Sequence, residues 1–207
     1  NVSGHEFVAW RERNRSFERM AMFSYSGFTV TGAGDPTTVS AQTVTADFFD
    51  VLGQRPIIGR TFRVGDDQPG AAPVVVMGRG LWQNRFSGDS GVVGRRVQLN
   101  NKDITIVGVL PESFVGPTFN ADAILPLPFE NILRSSPRNV RGRAWRAIVR
   151  TRQGVSEAQM NAELATIGQR IRSQYPEIRN GGVFRPVSLH AAMVGNDSDR
   201  AGDRHLA

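Results

Sequence analysis

The chain has 207 residues, which is long for one compact unit and indicates one large domain or two closely associated ones. With 40% hydrophobic and 21% charged residues, it has enough apolar side chains for a core and lacks the composition of a disordered protein. The absence of cysteine excludes disulfides and cysteine-ligated metals. The net charge is +6, and Lys102 is the only lysine among 25 basic residues, a balance that does not by itself identify a partner.

The sequence contains no candidate membrane span and no secretion signal. No run approaches the ~18 consecutive apolar residues of a transmembrane helix, and the chain does not open with the charged, apolar and cleavage regions of a signal peptide. It begins at Asn1 and ends in the polar run GNDSDRAGDRHLA. We therefore expect a piece of a longer protein, with further segments on both sides.

The first third of the chain predicts a helix, a hairpin and a compact corner. Ser3 and Glu6 have the spacing of a capping box, which predicts a helix over residues 4–14. A second short turn is expected from Ser16. β-Branched and aromatic residues at 22–31 and 38–45, separated by GAGDP, predict a β-hairpin.

The corner, residues 44–62 (VTADFFDVLGQRPIIGRTF), has a short apolar helix that Thr45 could cap. Gly53 can adopt the left-handed conformation after that helix, and Pro56 prevents the helix from resuming. The apolar helical spacing favours a role in packing over a ligand site.

The remainder predicts a β-rich middle and a long helix. The loop at 64–73 is the best candidate domain boundary, and residues 128–142 are expected to be irregular. A capping box from Ser156 to Gln159 opens the longest predicted helix. The other predicted elements are strands at 73–77, 96–99, 104–109, 123–127, 143–152 and 183–189 and a helix at 80–86.

Motifs for enzymatic chemistry are weak, so we name no catalytic, cofactor-binding or metal-binding residue. Gly78 and Gly80 follow a strand, but Gln83 replaces the third glycine of a dinucleotide-binding loop, and no phosphate-binding loop or GxSxG elbow is present. The sequence offers neither a histidine pair at ligand spacing nor an evident carboxylate pair. The residues considered for these roles are His5, His190, His205, Asp66, Asp67, Glu112 and Asp122.

Seven arginines form one conspicuous charge cluster. Such a cluster can bind the phosphates of nucleic acid or of anionic lipids. Here it spreads over a loop and both faces of a strand, with Trp145 as its single aromatic, so we favour a solvated strand face and expect no nucleic-acid partner. The members are Arg134, Arg138, Arg141, Arg143, Arg146, Arg150 and Arg152.

An ordered set of short motifs over nearly the whole chain resembles one family. The sequence is similar to the MacB-like extracytoplasmic core domain of ABC transporter permeases, in particular to the duplicated orphan permeases of acidobacteria. The matching segments are EFVAW (6–10), NRSFE (14–18), ADFFDVLG (46–53), Pro56, GRTF (59–62), GLW (80–82), Phe86, 88–89, Gly94, VQLN (97–100), IVGVLPESF (106–114), GVSEAQ (154–159) and 187–194. The resemblance departs at the end, where a polar tail replaces the start of a membrane helix.

The resemblance implies an α+β fold, with a porter-like α/β subdomain into which a β-rich, Sabre-like subdomain is inserted. The porter-like part is expected from residues 1–66 and 153–194, the insert from residues 67–152. Residues 195–207 are expected to be a polar tail leading towards the next membrane helix.

The resemblance also implies a function without catalysis or cofactor. The domain is expected on the periplasmic side of the inner membrane, where it couples cytoplasmic ATP hydrolysis to a substrate or partner in an efflux or mechanotransmission system. The implied partners are its own transmembrane helices, a second permease half or copy, the ATPase subunit indirectly, and a membrane-fusion protein. We expect the contact surface among exposed apolar residues of 115–133 and the arginine loop. A free-standing secreted ligand-binding or adhesion domain is the main alternative, and a small enzyme is a third.

Overall fold

The structure, a computed structural model, describes residues 1–31, 36–117, 121–129, 145–174 and 186–189. Its helices are α1 (Gly4–Arg13), α2 (Phe48–Leu52), α3 (Arg79–Phe86) and α4 (Glu157–Gln174). Its strands are β1 (Phe17–Thr31), β2 (Thr37–Val44), β3 (Ile58–Gly59), β4 (Val74–Met77), β5 (Arg96–Leu99), β6 (Lys102–Val109), β7 (Ala123–Pro126) and β8 (Arg146–Thr151). The predicted α+β class is confirmed.

Six of the strands pair in a closed ring. β1 pairs with β2, β2 with β7, β7 with β4, β4 with β6, β6 with β5, and β5 returns to β1. The β2–β7 and β4–β6 pairs are parallel and the others antiparallel. β3 joins the ring through β6, and β8 through β1. Ring closure removes most of the exposed strand edges that an open sheet of this size would leave.

The inside of the ring is filled by apolar side chains from all six of its strands. β4 shows the alternation clearly: Val75 and Met77 lie in this ring core, whereas Val74 and Val76 face a second cluster outside it. Helix α3 packs against the ring core through Leu81 and Trp82. The strand residues of the ring core are Val30, Val39, Ala41, Val75, Met77, Val97, Leu99, Ile104, Ile106, Val109, Ala123 and Leu125.

Two further clusters cover the sheet outside the ring. The second cluster centres on α2, whose Phe48 and Phe49 are fully buried and whose neighbours include Phe62 and Phe114. The third cluster joins α1 and α4 to the first half of β1 and to β8. The first and the last helix described therefore pack together on the same part of the sheet.

β1 connects the helical part to the ring. Its first half pairs with β8 and its second half with β2, and Phe23 is in register with both Val44 and Arg146. Fifteen residues at ~3.4 Å each give a strand of roughly 50 Å, which is long for a globular protein. The helical third cluster and the ring are therefore joined by one continuous strand.

Local predictions hold at both capping boxes and in the strands of the middle region. Ser3 and Glu6 exchange the predicted hydrogen bonds, and so do Ser156 and Gln159. The second short turn expected to begin at Ser16 is wrong, because Ser16 ends the connection from α1, and β1 begins at Phe17, which pairs with Thr151. The last predicted strand is wrong over residues 186–189, which pair with no described strand, while 183–185 lie outside the described residues. The division into two subdomains stays a prediction.

Candidate functional site

The turn between α1 and β1, residues 14–17, is held by a dense set of hydrogen bonds. Asn14 closes the helix, since its N–H and its side-chain amide both donate to the carbonyl oxygen of Trp10, at 2.9 and 2.7 Å. The Asn14 side-chain oxygen accepts from the N–H of Phe17 at 3.0 Å, which starts β1. One asparagine thus ends the helix and begins the strand.

The two remaining N–H groups of this turn are bound by a distant carboxylate. Glu163, on α4, accepts from the N–H of Arg15 at 2.6 Å and from the N–H of Ser16 at 3.0 Å, one bond to each oxygen. On its other side, the Ser16 carbonyl oxygen accepts from the N–H of Arg152, just beyond β8, at 2.8 Å. Ser16 therefore links the start of β1 both to α4 and to the end of β8.

Helix α2 is anchored to β8 at its C-terminal end. Gly53 has a φ of 66°, the left-handed conformation predicted for it, and ends the helix. Arg150 then donates from Nε and Nη2 to the carbonyl oxygen of Val51, at 3.0 and 2.7 Å. Thr45 does not cap α2 with its side chain as predicted, because its hydroxyl accepts from the N–H of Met22 in β1 instead.

The two adjacent aspartates of the 64–73 loop hold different parts of the corner. Asp66 pairs with the Arg60 guanidinium at 2.6 Å and accepts from the N–H of Arg63 at 2.8 Å. Burial by itself would raise the pKa of Asp66, but these bonds and the two arginine charges outweigh it, and the pKa lies below its usual value. Asp67 accepts from the N–H of Ala46 at 2.9 Å. The two carboxylates thus bind different partners and tie the loop to both ends of the corner.

The corner crosses β6 at a contact between two glycines. Gly59 and Gly108 are in register in the β3–β6 pair. A Cβ added to Gly108 would overlap the carbonyl oxygen of Arg60, and one added to Gly59 would overlap that of Val107. This close backbone approach explains the glycine in each strand at the crossing.

Gln42 is a buried polar residue whose side-chain amide makes no hydrogen bond. Its side chain is fully buried in β2, with Tyr25 and Ile124 as its partners in the neighbouring strands. Neither the oxygen nor the nitrogen of its amide has a hydrogen-bond partner. The spacing of β2 gave no sign of this, because a glutamine in an alternating strand is usually on the solvent face.

The residues considered for enzymatic chemistry have structural roles or lie outside the described residues. A Cβ on Gly78 would come within 2.6 Å of the carbonyl oxygen of Ala121, so this glycine allows close packing beside β7. Glu112 pairs with Arg79 at 3.6 Å, and Asp122 accepts from the Ser40 hydroxyl at 2.8 Å. His5 is half-buried, whereas His190 and His205 fall outside the described residues.

No concentration of metal ligands is found in the described ranges, where no three histidine or carboxylate side chains lie close enough to hold an ion. Across those same ranges, no helix combines the length and the apolar character needed to cross a membrane.

Three of the seven clustered arginines are described, and two of these make specific contacts within the fold. The Arg146 guanidinium lies 5.2 Å from the centre of the Tyr25 ring, and Arg150 binds Val51 as described above. Arg152 is exposed. The strand predicted here is confirmed over 146–151 and its side chains alternate, because Trp145, Ala147 and Val149 belong to the third cluster and Ile148 to the second. Arg134, Arg138, Arg141 and Arg143 lie outside the described residues.

The segment expected to form a contact surface, 115–133, is mostly buried where it is described. Val115 is 44% exposed, whereas Ala121, Ala123, Ile124, Leu125, Leu127 and Phe129 are buried. Elsewhere, Val64 is 96% exposed at the start of the 64–73 loop. Residues 118–120 and 130–133 are outside the described part of the chain.

Comparison with known proteins identifies the fold and the family. The chain is similar to the extracellular domain of the noncanonic ABC-type transporter YknZ from Gram-positive bacteria, with 15% identity, 84% of each chain covered and a TM-score of 0.63. It is also similar to the periplasmic region of MacB from Actinobacillus actinomycetemcomitans, with 14% identity, a TM-score of 0.65, and 100% of this chain and 85% of that chain covered.

A search among curated proteins found no match. The family profile described as "MacB-like periplasmic core domain" matches residues 2–167, which include all three apolar clusters except Ile171. The chain therefore belongs to the family of MacB-like periplasmic core domains of ABC transporter permeases.

Proposed function

We propose that this chain is a non-catalytic extracytoplasmic domain of an inner-membrane permease that couples cytoplasmic ATP hydrolysis to a substrate or partner outside the membrane. The family match over residues 2–167 is the observation that carries the proposal. The partners proposed with it are the flanking transmembrane helices, a second permease half or copy, a membrane-fusion protein, and the ATPase acting through the membrane helices. No nucleic acid is among them.

The packing of the two terminal helices supports a mechanical role. α1 and α4 share the third cluster, in which Phe7 and Trp10 of α1 lie with Ile167 and Ile171 of α4. In a chain joined to membrane helices at both ends, a displacement would reach these two helices first. From there β1, which runs from the third cluster into the ring, offers a continuous path.

We also propose the division into a porter-like part, 1–66 and 153–194, and an insert, 67–152. The third cluster supports it, because α1 and α4 come from the two ends of the chain and pack as one unit. β1 and β2 of the porter-like part would then also form sheet with the insert, since β1 pairs with β5 and β8 and β2 pairs with β7.

Labelling of a cysteine introduced into this domain tests the location directly, because residues 1–207 contain no cysteine of their own. Val64 is 96% exposed, so Val64→Cys gives one accessible thiol in this domain of the full-length gene product, in which any cysteine outside residues 1–207 is first replaced by serine. We expect a membrane-impermeant maleimide to label it in intact spheroplasts, with the protein in the membrane fraction. Val92→Cys, at a fully buried position, is the matched control and should react only after unfolding.

The outcomes separate the candidate functions. Labelling that requires lysis would place the domain in the cytoplasm and contradict the proposal. A labelled protein recovered in the soluble periplasmic or secreted fraction would instead support the free-standing ligand-binding or adhesion domain.

A further inference from the structure

We propose that Glu163 is a positioning residue that passes a displacement of α4 to strands β1 and β8, an inference that rests on the proposed function. Glu163 is half-buried on the helix that would lie nearest the second membrane attachment. Its carboxylate binds the N–H groups of Arg15 and Ser16, which belong to the turn at the start of β1. It is thus a polar joint between the two ends of the described fold.

The two hydrogen bonds of Glu163 make this joint directional, which apolar packing alone does not. Each carboxylate oxygen accepts one N–H, at 2.6 Å from Arg15 and 3.0 Å from Ser16, so the carboxylate is held against the turn by two directional bonds. Hydrogen bonds to a charged acceptor are about twice as strong as neutral ones. The apolar side chains that share the third cluster with α1, such as Ile167 and Ile171, add no directional bond of this kind, because the hydrophobic effect is non-directional.

The peptide groups of one residue extend the joint to β8. The N–H of Ser16 binds Glu163, and its carbonyl oxygen accepts from the N–H of Arg152. Ser16 is only 7% exposed, so water has little access to replace either bond. A shift of α4 that carries Glu163 with it must therefore move Ser16, and with it the paired ends of β1 and β8.

The use of Glu163 as the hydrogen-bond acceptor indicates a role beyond binding the free N–H groups of the turn. Phe17, the next N–H along, is satisfied by Asn14 within the turn itself. The N–H groups of Arg15 and Ser16 use an acceptor from the far end of the chain instead. A local cap would close the turn equally well but would not connect it to α4.

Hydrogen exchange in the full-length permease, assembled with the ATPase that drives it, tests the joint. Exchange is followed by mass spectrometry with and without a non-hydrolysable ATP analogue. In the natural protein we expect the nucleotide to change exchange in peptides from α4 and in peptides from β1 and β8. In Glu163→Ala the change in α4 should remain and that in β1 and β8 should be lost, with Arg15 and Ser16 exchanging about tenfold faster.

Two further variants keep the result interpretable. Glu163→Gln retains one acceptor oxygen, so we expect a partial response, and it replaces the alanine variant if that variant does not fold. Glu157→Ala removes an exposed carboxylate from the same helix and should behave like the natural protein. A purely structural role for Glu163 would raise exchange equally with and without nucleotide.

A nucleotide response in β1 and β8 that survives in both Glu163 variants would overturn the joint and leave the proposed function standing. A natural protein in which the nucleotide alters exchange nowhere in this domain would overturn the proposed function, and this inference with it.

Discussion

Arg150 and Val51 connect β8 to α2 through one guanidinium group, which places two N–H donors on the last turn of the helix. A cation at a helix C-terminus is favourable both as a hydrogen-bond donor and through the helix dipole. We expect Arg150→Ala to lower the free energy of unfolding by about 1–2 kcal/mol, and Arg150→Lys to recover only part of that loss. Urea denaturation followed by tryptophan fluorescence measures both.

Arg152→Ala is the matched control for that prediction. Arg152 is exposed on the same segment, so its loss should change stability by less than about 0.5 kcal/mol. Equal effects at the two positions would show that the bond to Val51 is not what stabilises this contact.

The buried side-chain amide of Gln42 should lower the free energy of unfolding. Its two polar atoms are removed from water without a hydrogen bond in return. Methionine has a similar length and flexibility and no such requirement, so we expect Gln42→Met to raise the free energy of unfolding by about 1–2 kcal/mol. Thermal unfolding by calorimetry measures the change. A less stable methionine variant would mean that the amide has a bonded partner in solution.

The ion pair of Asp66 and Arg60 should make the free energy of unfolding depend on pH in the acidic range. The pKa of Asp66 is held below its usual 3.8 in the fold, so its stabilisation is complete above 3.8 and is lost as the pH falls through the folded value. We expect Asp66→Asn to cost about 1–2 kcal/mol at pH 7 and progressively less towards pH 2. Urea titrations across this range measure the difference, and a cost that stays constant with pH would contradict the assignment.

The glycine crossing between β3 and β6 should not tolerate a side chain. Gly108→Ala must push the backbone of Arg60 away, so we expect a loss of at least about 2–3 kcal/mol or failure to fold. Gly27→Ala is the control, because a Cβ there meets nothing within 4 Å, and alanine should be neutral or stabilising by about 0.5–1 kcal/mol. Circular dichroism melting compares the two. Similar losses at both sites would rule out the steric explanation.

Features set by neighbouring residues in the chain could be predicted from the sequence. Both capping boxes and the left-handed Gly53 depend on contacts within a few residues. Strands β5 and β6 were also predicted, and Asn100 and Asn101, both with positive φ, alone form the turn between them. Such local patterns constrain the backbone whatever the rest of the chain does.

Features set by distant residues could not be predicted in this way. Ser16 was expected to open a turn, because nothing near it in the sequence shows that Phe17 pairs with Thr151. Glu163 was one more polar position on a helix until the fold brought it to Arg15. Closure of the ring was equally hidden, since it requires β5 to meet β1 over only two residue pairs. The candidate joint is built from such long-range contacts, which explains why no motif revealed it.

The long β1 strand also affects the order of folding during synthesis, because half of it stays unpaired until β8 has been made. It leaves the ribosome early, yet Phe17, Met20 and Met22 find their strand partners in 146–151, near the opposite end of the described chain. Until β8 and α4 arrive, an apolar surface stays open and one strand edge is bare, the combination that invites aggregation and chaperone capture. Polypeptides interrupted before residue 146 should therefore be poorly soluble, and the domain should complete its folding only after its last third has been synthesised.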